Sequence, residues 1–369
     1  MSDRGFIPEN DQPRIRFESA AVLNMLCSLC LLTQDHLDHI SPWVDRTLAH
    51  LTDDEQKQAG LACDAGMFAA NSTAGDLEGF LEELGERDPE ELVMVEMTHL
   101  HDEARRYLGD ELIPSVRELR HDRDAFVSVS ERLAQLHEKE FDRDKAVAEF
   151  EKLQTPVQYR EKLVSGIGEL WEKHLRDEWP RVEPAIEDSV AAFRSVGALR
   201  GTLEERLKFI TGRDNVPQMW VRTLADAQEI VFVPSVHIGP YMILFEFDGR
   251  RAFIVGRARV PEGASVHSAV LDRSDLLMRL DALSDDTRLR ILEMATRDDA
   301  VTTQMVMDEL ELSQSSASRH LTQLAATGIL SVDGSERTKK YRTNPRRIDD
   351  LCHGLRQIVR RRSRTGGRV

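Results

Sequence analysis

Ser315, Ser318, Arg319 and Thr322 recur at i, i+3, i+4 and i+7, the spacing of one helical face. Gln314 stands at the start of that face, and Ser313 precedes it in a capping position. Gln pairs bidentately with adenine and Arg with guanine in a major groove, while Ser and Thr hydroxyls reach bases or phosphates. Ala317, Leu321 and Leu324 occupy the opposite, apolar face, and His320 lies beside them as a packed residue. A few residues on, Arg337, Lys339, Lys340 and Arg342 make a basic run suited to phosphate oxygens. The alternative is a merely solvated helix face. The agreement of helix pattern, basic run and local charge argues against it.

Other groups of reactive residues carry two readings each. Cys27, Cys30, His36 and His39 form C-x2-C-x5-H-x2-H, a set of good zinc ligands. A zinc finger needs a longer middle loop, however, and both cysteines sit in a Leu/Met-rich run that reads as core. Cys63 and Cys352 stand isolated in sequence. His99, His101, Asp102 and Glu103 diverge around a helix and read as a solvated face. Trp171, Trp179, Trp220 and Tyr241 either line an apolar effector pocket or belong to ordinary core. His237, in the loop 233–240, either meets a ligand or serves a structural turn. No nucleophile elbow, phosphate loop, dinucleotide fingerprint or zincin motif occurs. No enzyme, cofactor or metal is therefore expected.

The candidate residues need a scaffold of short helices. Leu276, Leu277, Leu280 and Leu283 make a first apolar stripe, and Asp286-Thr287 opens a second helix running through Ile291 and Met294. Thr302-Thr303 opens a third over 304–310, Glu311-Leu312 is a tight turn, and Ser313 caps a fourth over 314–327, ended by Gly328. Two short helices around a tight turn are the helix-turn-helix pattern. Strands at 329–333 and 337–343, joined through Gly334, Ser335 and Glu336, supply a wing.

Upstream, residues 15–228 read as helix, with Ser41-Pro42 and Thr155-Pro156 as N-terminal caps. Three Val/Ile/Phe/Tyr-rich runs follow at 230–235, 241–247 and 251–257, the last two joined by the hairpin signal Asp248-Gly249. The expected fold is α+β, mainly α. It comprises a disordered tail (1–14), a helical effector or dimerisation region (15–228), a small antiparallel β-sheet with linker (229–264), a winged helix-turn-helix (265–359) and a basic tail (360–369).

The chain has 369 residues and a net charge of −16, which taken whole argues against a nucleic-acid partner. Residues 313–369 alone carry 13 Lys/Arg against 4 Asp/Glu, net +9, leaving −25 on the remainder. A basic end on an acidic body is the asymmetry expected when one segment docks on phosphate. Mean hydropathy is −0.41. No apolar run reaches the ~20 residues of a membrane span, the N-terminus does not read as a signal peptide, and four cysteines make no disulfide framework. A cytoplasmic location with no membrane partner is expected.

The stretch from Leu283-Ser284-Asp285-Asp286-Thr287-Arg288-Leu289 through Leu312-Ser313-Gln314-Ser315-Ser316-Ala317-Ser318-Arg319-His320-Leu321, Gly328-Ile329-Leu330 and Lys339-Lys340-Tyr341-Arg342 resembles the ArsR family of winged-helix repressors. The resemblance covers about residues 274–358. It implies a homodimer built on the first and last helices of the domain, 274–283 and 346–359, binding a pseudo-palindromic double-stranded DNA operator and repressing until an effector releases it. Many members sense metals through Cys-Val-Cys on the third helix; here Met305-Val306-Met307 stands instead, and neutral thioethers do not replace thiolates. A second family metal site uses Asp and His on the last helix, where Asp349, Asp350 and His353 lack a later His. The DNA-contacting residues implied are Ser313, Gln314, Ser315, Ser318, Arg319, Thr322, Arg337, Lys339, Lys340 and Arg342. A small-molecule effector is possible for the upstream region. The rival expectations are an enzyme, or a protein-interaction module, with an appended winged helix.

Overall fold

The computed structural model describes residues 12–33, 41–109, 113–136, 141–213, 216–247, 250–265, 268–333 and 339–365. The chain divides into two compact units, each discontinuous in sequence. One takes residues 21–33 and 51–176, the other 1–20, 34–50 and 177–369, so the stretch read as one helical region contributes to both.

The first unit is helical: α1 (Ala21–Cys30), α3 (Asp53–Ala69), α4 (Leu77–Glu86), α5 (Pro89–Leu108), α6 (Val116–His121), α7 (Arg123–Leu136), α8 (Arg143–Leu153) and α9 (Pro156–Leu170), whose end runs into a π-helical turn, Trp171–Leu175. Its helix starts are written in the sequence. Thr52 with Glu55 and Ser115 with Glu118 form reciprocal capping boxes, and Asp88 accepts from Glu90 and Glu91 ahead of Pro89. Thr155 does not cap α9; its hydroxyl donates instead to the Lys152 carbonyl, 3.2 Å away. Helix α9 crosses α3 closely at Gly166, where a Cβ would stand 3.0 Å from Leu61 Cδ1. Tyr159, Leu163, Ile167 and Leu170 give α9 a fully buried face.

Cys63 is not isolated. Its sulfur is bonded to Cys30, joining the end of α1 to α3 with the Cα atoms 5.1 Å apart. That removes Cys30 from the Cys/His set considered for zinc. Cys27 is buried, and burial pushes its thiol far up. His36 and His39 lie outside the described residues.

The second unit holds β1 (Arg14–Phe17), α2 (Pro42–Leu48), α10 (Trp179–Ser195), α11 (Leu203–Thr211), α12 (Gln218–Ala225), β2 (Glu229–Ser235), β3 (Ile243–Phe247), β4 (Arg251–Arg257), α13 (Ala269–Ala282), α14 (Asp286–Arg297), α15 (Thr303–Leu310), α16 (Gln314–Ala326), β5 (Leu330–Asp333), β6 (Lys340–Thr343) and α17 (Pro345–Thr365). Ser41 caps α2 as expected, accepting from the Val44 amide at 3.3 Å.

The first sheet corrects the expectation of an all-antiparallel one. Its strand order is β1-β2-β4-β3, with β1/β2 and β2/β4 parallel and only the β3/β4 hairpin antiparallel. Central β2 is buried from Ile230 to Ser235, which accounts for its unbroken apolar run: a parallel strand covered on both faces does not alternate. Arg14, read as tail, and Ile15 to Phe17, read as the start of the helical region, form an edge strand in register with Glu229 to Phe232. Phe17, Phe193 and Phe232 meet beneath it, Phe17–Phe193 at 5.0 Å and Phe193–Phe232 at 4.9 Å between ring centroids. Helix α17 continues past 359 through the basic run to Thr365.

Candidate nucleic-acid interface

Helices α14 to α16 and the β5/β6 hairpin enclose a small core of Ile291, Met294, Val306, Ala317, Leu321, Leu324, Ile329 and Tyr341. Burying Leu321 and Leu324 completely contributes roughly 1.5–3 kcal/mol each. Thr302 starts α15 by accepting from the Met305 amide at 3.3 Å. The turn after α15 places Glu311 in the left-handed region, φ 54° and ψ 41°, and the Leu312 amide returns to the Met307 carbonyl at 3.2 Å. Ser313 then starts α16 by accepting from Ser316 N at 3.2 Å.

On α16 the face read from the sequence is the exposed one. Gln314, Ser315, Ser318, Arg319 and Thr322 are exposed, whereas Ala317, His320, Leu321, Gln323 and Leu324 are buried. Ser313 is exposed and its hydroxyl lies 3.1 Å from that of Ser315. His320 packs as expected, with Nδ1 3.9 Å from a carboxylate oxygen of Asp285. The N-terminal half of α16, at the positive end of the helix dipole, thus presents an amide, a guanidinium and several hydroxyls outward.

The wing strands pair antiparallel from Leu330↔Thr343 to Asp333↔Lys340, and Val301 adds a bridge to Tyr341. Tyr341 is buried in the domain core, so its neighbour Lys340 points out, and Lys339 is exposed as well. Arg342 turns to the base of the wing, where its guanidinium meets Asp299 at 2.5 Å and Asp333 at 3.1 Å. The Asp299 hydrogen bond holds that guanidinium firmly protonated. Arg337 lies outside the described residues.

One pair of residues that sequence reasoning left unassigned fixes the angle of α16. Arg288, on α14, is 2% exposed, and its guanidinium donates to the carbonyls of Ala282 (2.7 Å) and Asp281 (3.0 Å) and to Gln323 Oε1 on α16 (3.0 Å). One guanidinium therefore ties the end of α13, α14 and α16 together. The available signal was Gln323, a polar residue standing among Leu321 and Leu324 on the packed face.

Elsewhere the candidate groupings do not converge. Trp171 belongs to the helical unit, Trp179 donates to Glu183, and Trp220 packs against the sheet core. His237 is buried against Trp43, ring centroids 4.5 Å apart, with Glu178 Oε1 3.9 Å from its Nε2. Burial lowers its pKa. The helical unit holds its own polar cluster, in which the Tyr159 hydroxyl donates to Glu96 at 2.8 Å and Lys152 pairs with Asp64 at 2.8 Å. Burial drives Glu96 well above the ordinary carboxyl range. Among the described residues no group of three or more His, Cys, Asp or Glu is placed to hold a metal ion. Nor is any described helix long and apolar enough to cross a membrane.

A family model described as a helix-turn-helix domain matches residues 283–333, from the end of α13 through β5. No curated protein and no solved structure matches the chain. The C-terminal part of the second unit is a winged helix-turn-helix domain of the kind found in DNA-binding regulators.

Proposed function

We propose that the chain is a sequence-specific, DNA-binding transcriptional repressor of ArsR type, acting as a homodimer and released by an effector, and that it is not an enzyme. The observation that carries this reading is the division of α16. Five polar side chains capable of base and phosphate contacts face out over its first nine residues, while the opposite face is buried. Lys339 and Lys340 on the adjoining wing supply phosphate contacts. Arg342 is already paired with two carboxylates, so its part is to brace the wing. Support for the dimer comes from α13 and α17, where Val270, Leu277 and Leu355 are 65%, 53% and 38% exposed. Val270 and Leu277, seven residues apart, share a helical face, and apolar groups of this kind are covered in an assembled dimer.

The test begins with recovery of bound duplexes from a random pool. Fluorescence titrations then compare the selected and scrambled duplexes at several salt concentrations. Arg319→Ala is expected to cost about 1–3 kcal/mol on the selected duplex and to flatten discrimination at one base position per half-site. Lys340→Ala is expected to weaken all duplexes about equally and to lower the salt slope by about one per protomer. Equal losses on selected and scrambled DNA for Arg319→Ala overturn the assignment of the reading face. Absence of any DNA binding at low salt overturns the function.

A further inference from the structure

The second unit contains a cleft of about 1770 Å³, walled by the end of β4, the chain following α11, and helices α13 and α17. Eight basic and four acidic side chains line it, in a chain whose net charge is −16. Five of the arginines come together: Arg213, Arg259, Arg279 and Arg347 all lie close enough to Arg257 to repel it electrostatically. Asp275 takes up part of this charge, pairing with Arg257 and, at 2.7 Å, with Arg279. Arg347 reaches Asp350 at 3.4 Å.

Two of these five arginines remain without a carboxylate among the described residues. Arg213 donates to the Pro240 carbonyl, and Arg259 donates to the Phe209 and Ile210 carbonyls while lying over the Phe193 ring. Nε of Arg259 and Nε of Arg279 are buried with no hydrogen-bond partner. The close fit around Arg259 depends on Gly212, at φ +68°, where a Cβ would stand 2.9 Å from that Nε. Burial lowers both Arg213 and Arg259 to about 10, so both stay charged at neutral pH. Guanidiniums withdrawn from water without counter-charge are destabilising by themselves. A bound anion removes that cost.

We propose that this cleft binds a small organic anion carrying a phosphate group. Arg213, Arg257, Arg259 and Arg347 donate to the phosphate oxygens, and Tyr241 and Met242 flank the organic part. A phosphate brings close to two negative charges and three acceptor oxygens, which matches the excess here better than one carboxylate does. The volume exceeds what a lone inorganic ion needs and accommodates a ligand of nucleotide size. The cleft also reaches Thr327 and Ser331, beyond the far end of α16 and at the base of the wing. At ~1.5 Å per residue that region is about 20 Å along the helix axis from Gln314, so a duplex read by Gln314 and Arg319 leaves the cleft to a small ligand. On the reading of α16 as the DNA-contacting helix, occupancy of the cleft and DNA affinity are reciprocally linked.

The experiment is thermal unfolding of the full chain in pyrophosphate, in citrate, and in sodium chloride of matched ionic strength. Pyrophosphate is expected to give a saturable rise of about 3 °C or more beyond chloride, larger than that in citrate. Arg259→Met, and Arg347→Met on the opposite wall, are each expected to weaken the response at least tenfold. If Arg259→Met does not fold, Arg347→Met decides. No rise beyond chloride, or an undiminished response in the variants that fold, overturns the site; an equal response to citrate overturns the assignment to phosphate. Arg319→Ala is expected to retain the full pyrophosphate response. A protein that responds to pyrophosphate but binds no DNA refutes the proposed function and leaves the cleft standing, and DNA binding without a pyrophosphate response does the reverse.

Discussion

Replacing Arg288 by Met tests whether α16 is held in place by the buried guanidinium or by apolar packing alone. Met keeps most of the side-chain volume, so the change isolates the hydrogen bonds. Three acceptors lose this donor: the carbonyls of Ala282 and Asp281 and Gln323 Oε1, at 2.7, 3.0 and 3.0 Å. Each buried polar group left unpaired costs about 1–3 kcal/mol. The Asp281 carbonyl still accepts from the Ser284 amide at 3.0 Å and from the Ser284 hydroxyl at 2.8 Å, so its loss is small. The Ala282 carbonyl lies at the end of α13, where water can partly replace the donor, so it belongs at the low end. Gln323 is 2% exposed and cannot turn to solvent, so its cost belongs near the middle. The sum is about 3 kcal/mol, partly offset because burying the guanidinium no longer has to be compensated. The expected net loss is about 2 kcal/mol, confined to α13, α14 and α16. Hydrogen exchange read by mass spectrometry resolves it without requiring global unfolding. Amides of α16 should exchange about thirtyfold faster, while those of β2 and β4 stay unchanged. The double change Arg288→Met with Gln323→Leu should recover part of the loss, because donor and acceptor are then removed together. Protection of α16 altered by less than about 0.5 kcal/mol refutes the reasoning, since that is the level of an ordinary surface substitution.

Three further outcomes follow from the geometry. Reduction, or Cys30→Ser, releases a cross-link spanning 33 residues, and the loop-entropy relation then gives a loss of about 3–4 kcal/mol, measurable by urea unfolding of the helical unit. Unchanged midpoints with and without reductant count against the bond. Glu96 has a pKa raised in the fold by burial, so its contribution is fully present below the unfolded value of about 4.3 and is lost as pH rises through the folded value. Glu96→Gln should therefore flatten the decline in stability of that unit with rising pH, and an unchanged slope argues against a protonated Glu96. Glu311→Gly relieves left-handed backbone worth about 1–2 kcal/mol against a glycine entropy cost of about 0.5–1 kcal/mol. A gain of roughly 0.5–1 kcal/mol is expected in chemical denaturation, and a loss shows that the Glu311 side chain contributes more than its backbone strain costs.

The sequence by itself determined what depends on local rules. The capping residues Ser41, Thr302 and Ser313, the turn at Glu311-Leu312, and the outward set Gln314, Ser315, Ser318, Arg319 and Thr322 follow from helix periodicity and from side chains that satisfy nearby amides. All of these stand in the structure where the spacing puts them. The mainly helical α+β class and the helix-turn-helix were legible for the same reason. Tertiary structure alone decided what depends on contacts between distant segments. Arg14 to Phe17 became a strand only because Glu229 to Phe232 offered an open sheet edge, and four residues carry too short an alternation to announce it. Parallel pairing of β2 with β4 is invisible locally because strands buried on both faces lose the period-two signal. Cys63 found Cys30 through the packing of α3 on α1. Arg213, Arg257, Arg259, Arg279 and Arg347 are spread over 135 positions of sequence, and each reads singly as a surface cation. Only the fold brings their charges into one cleft, where the loss of water and the nearness of like charges turn ordinary arginines into a demand for an anion.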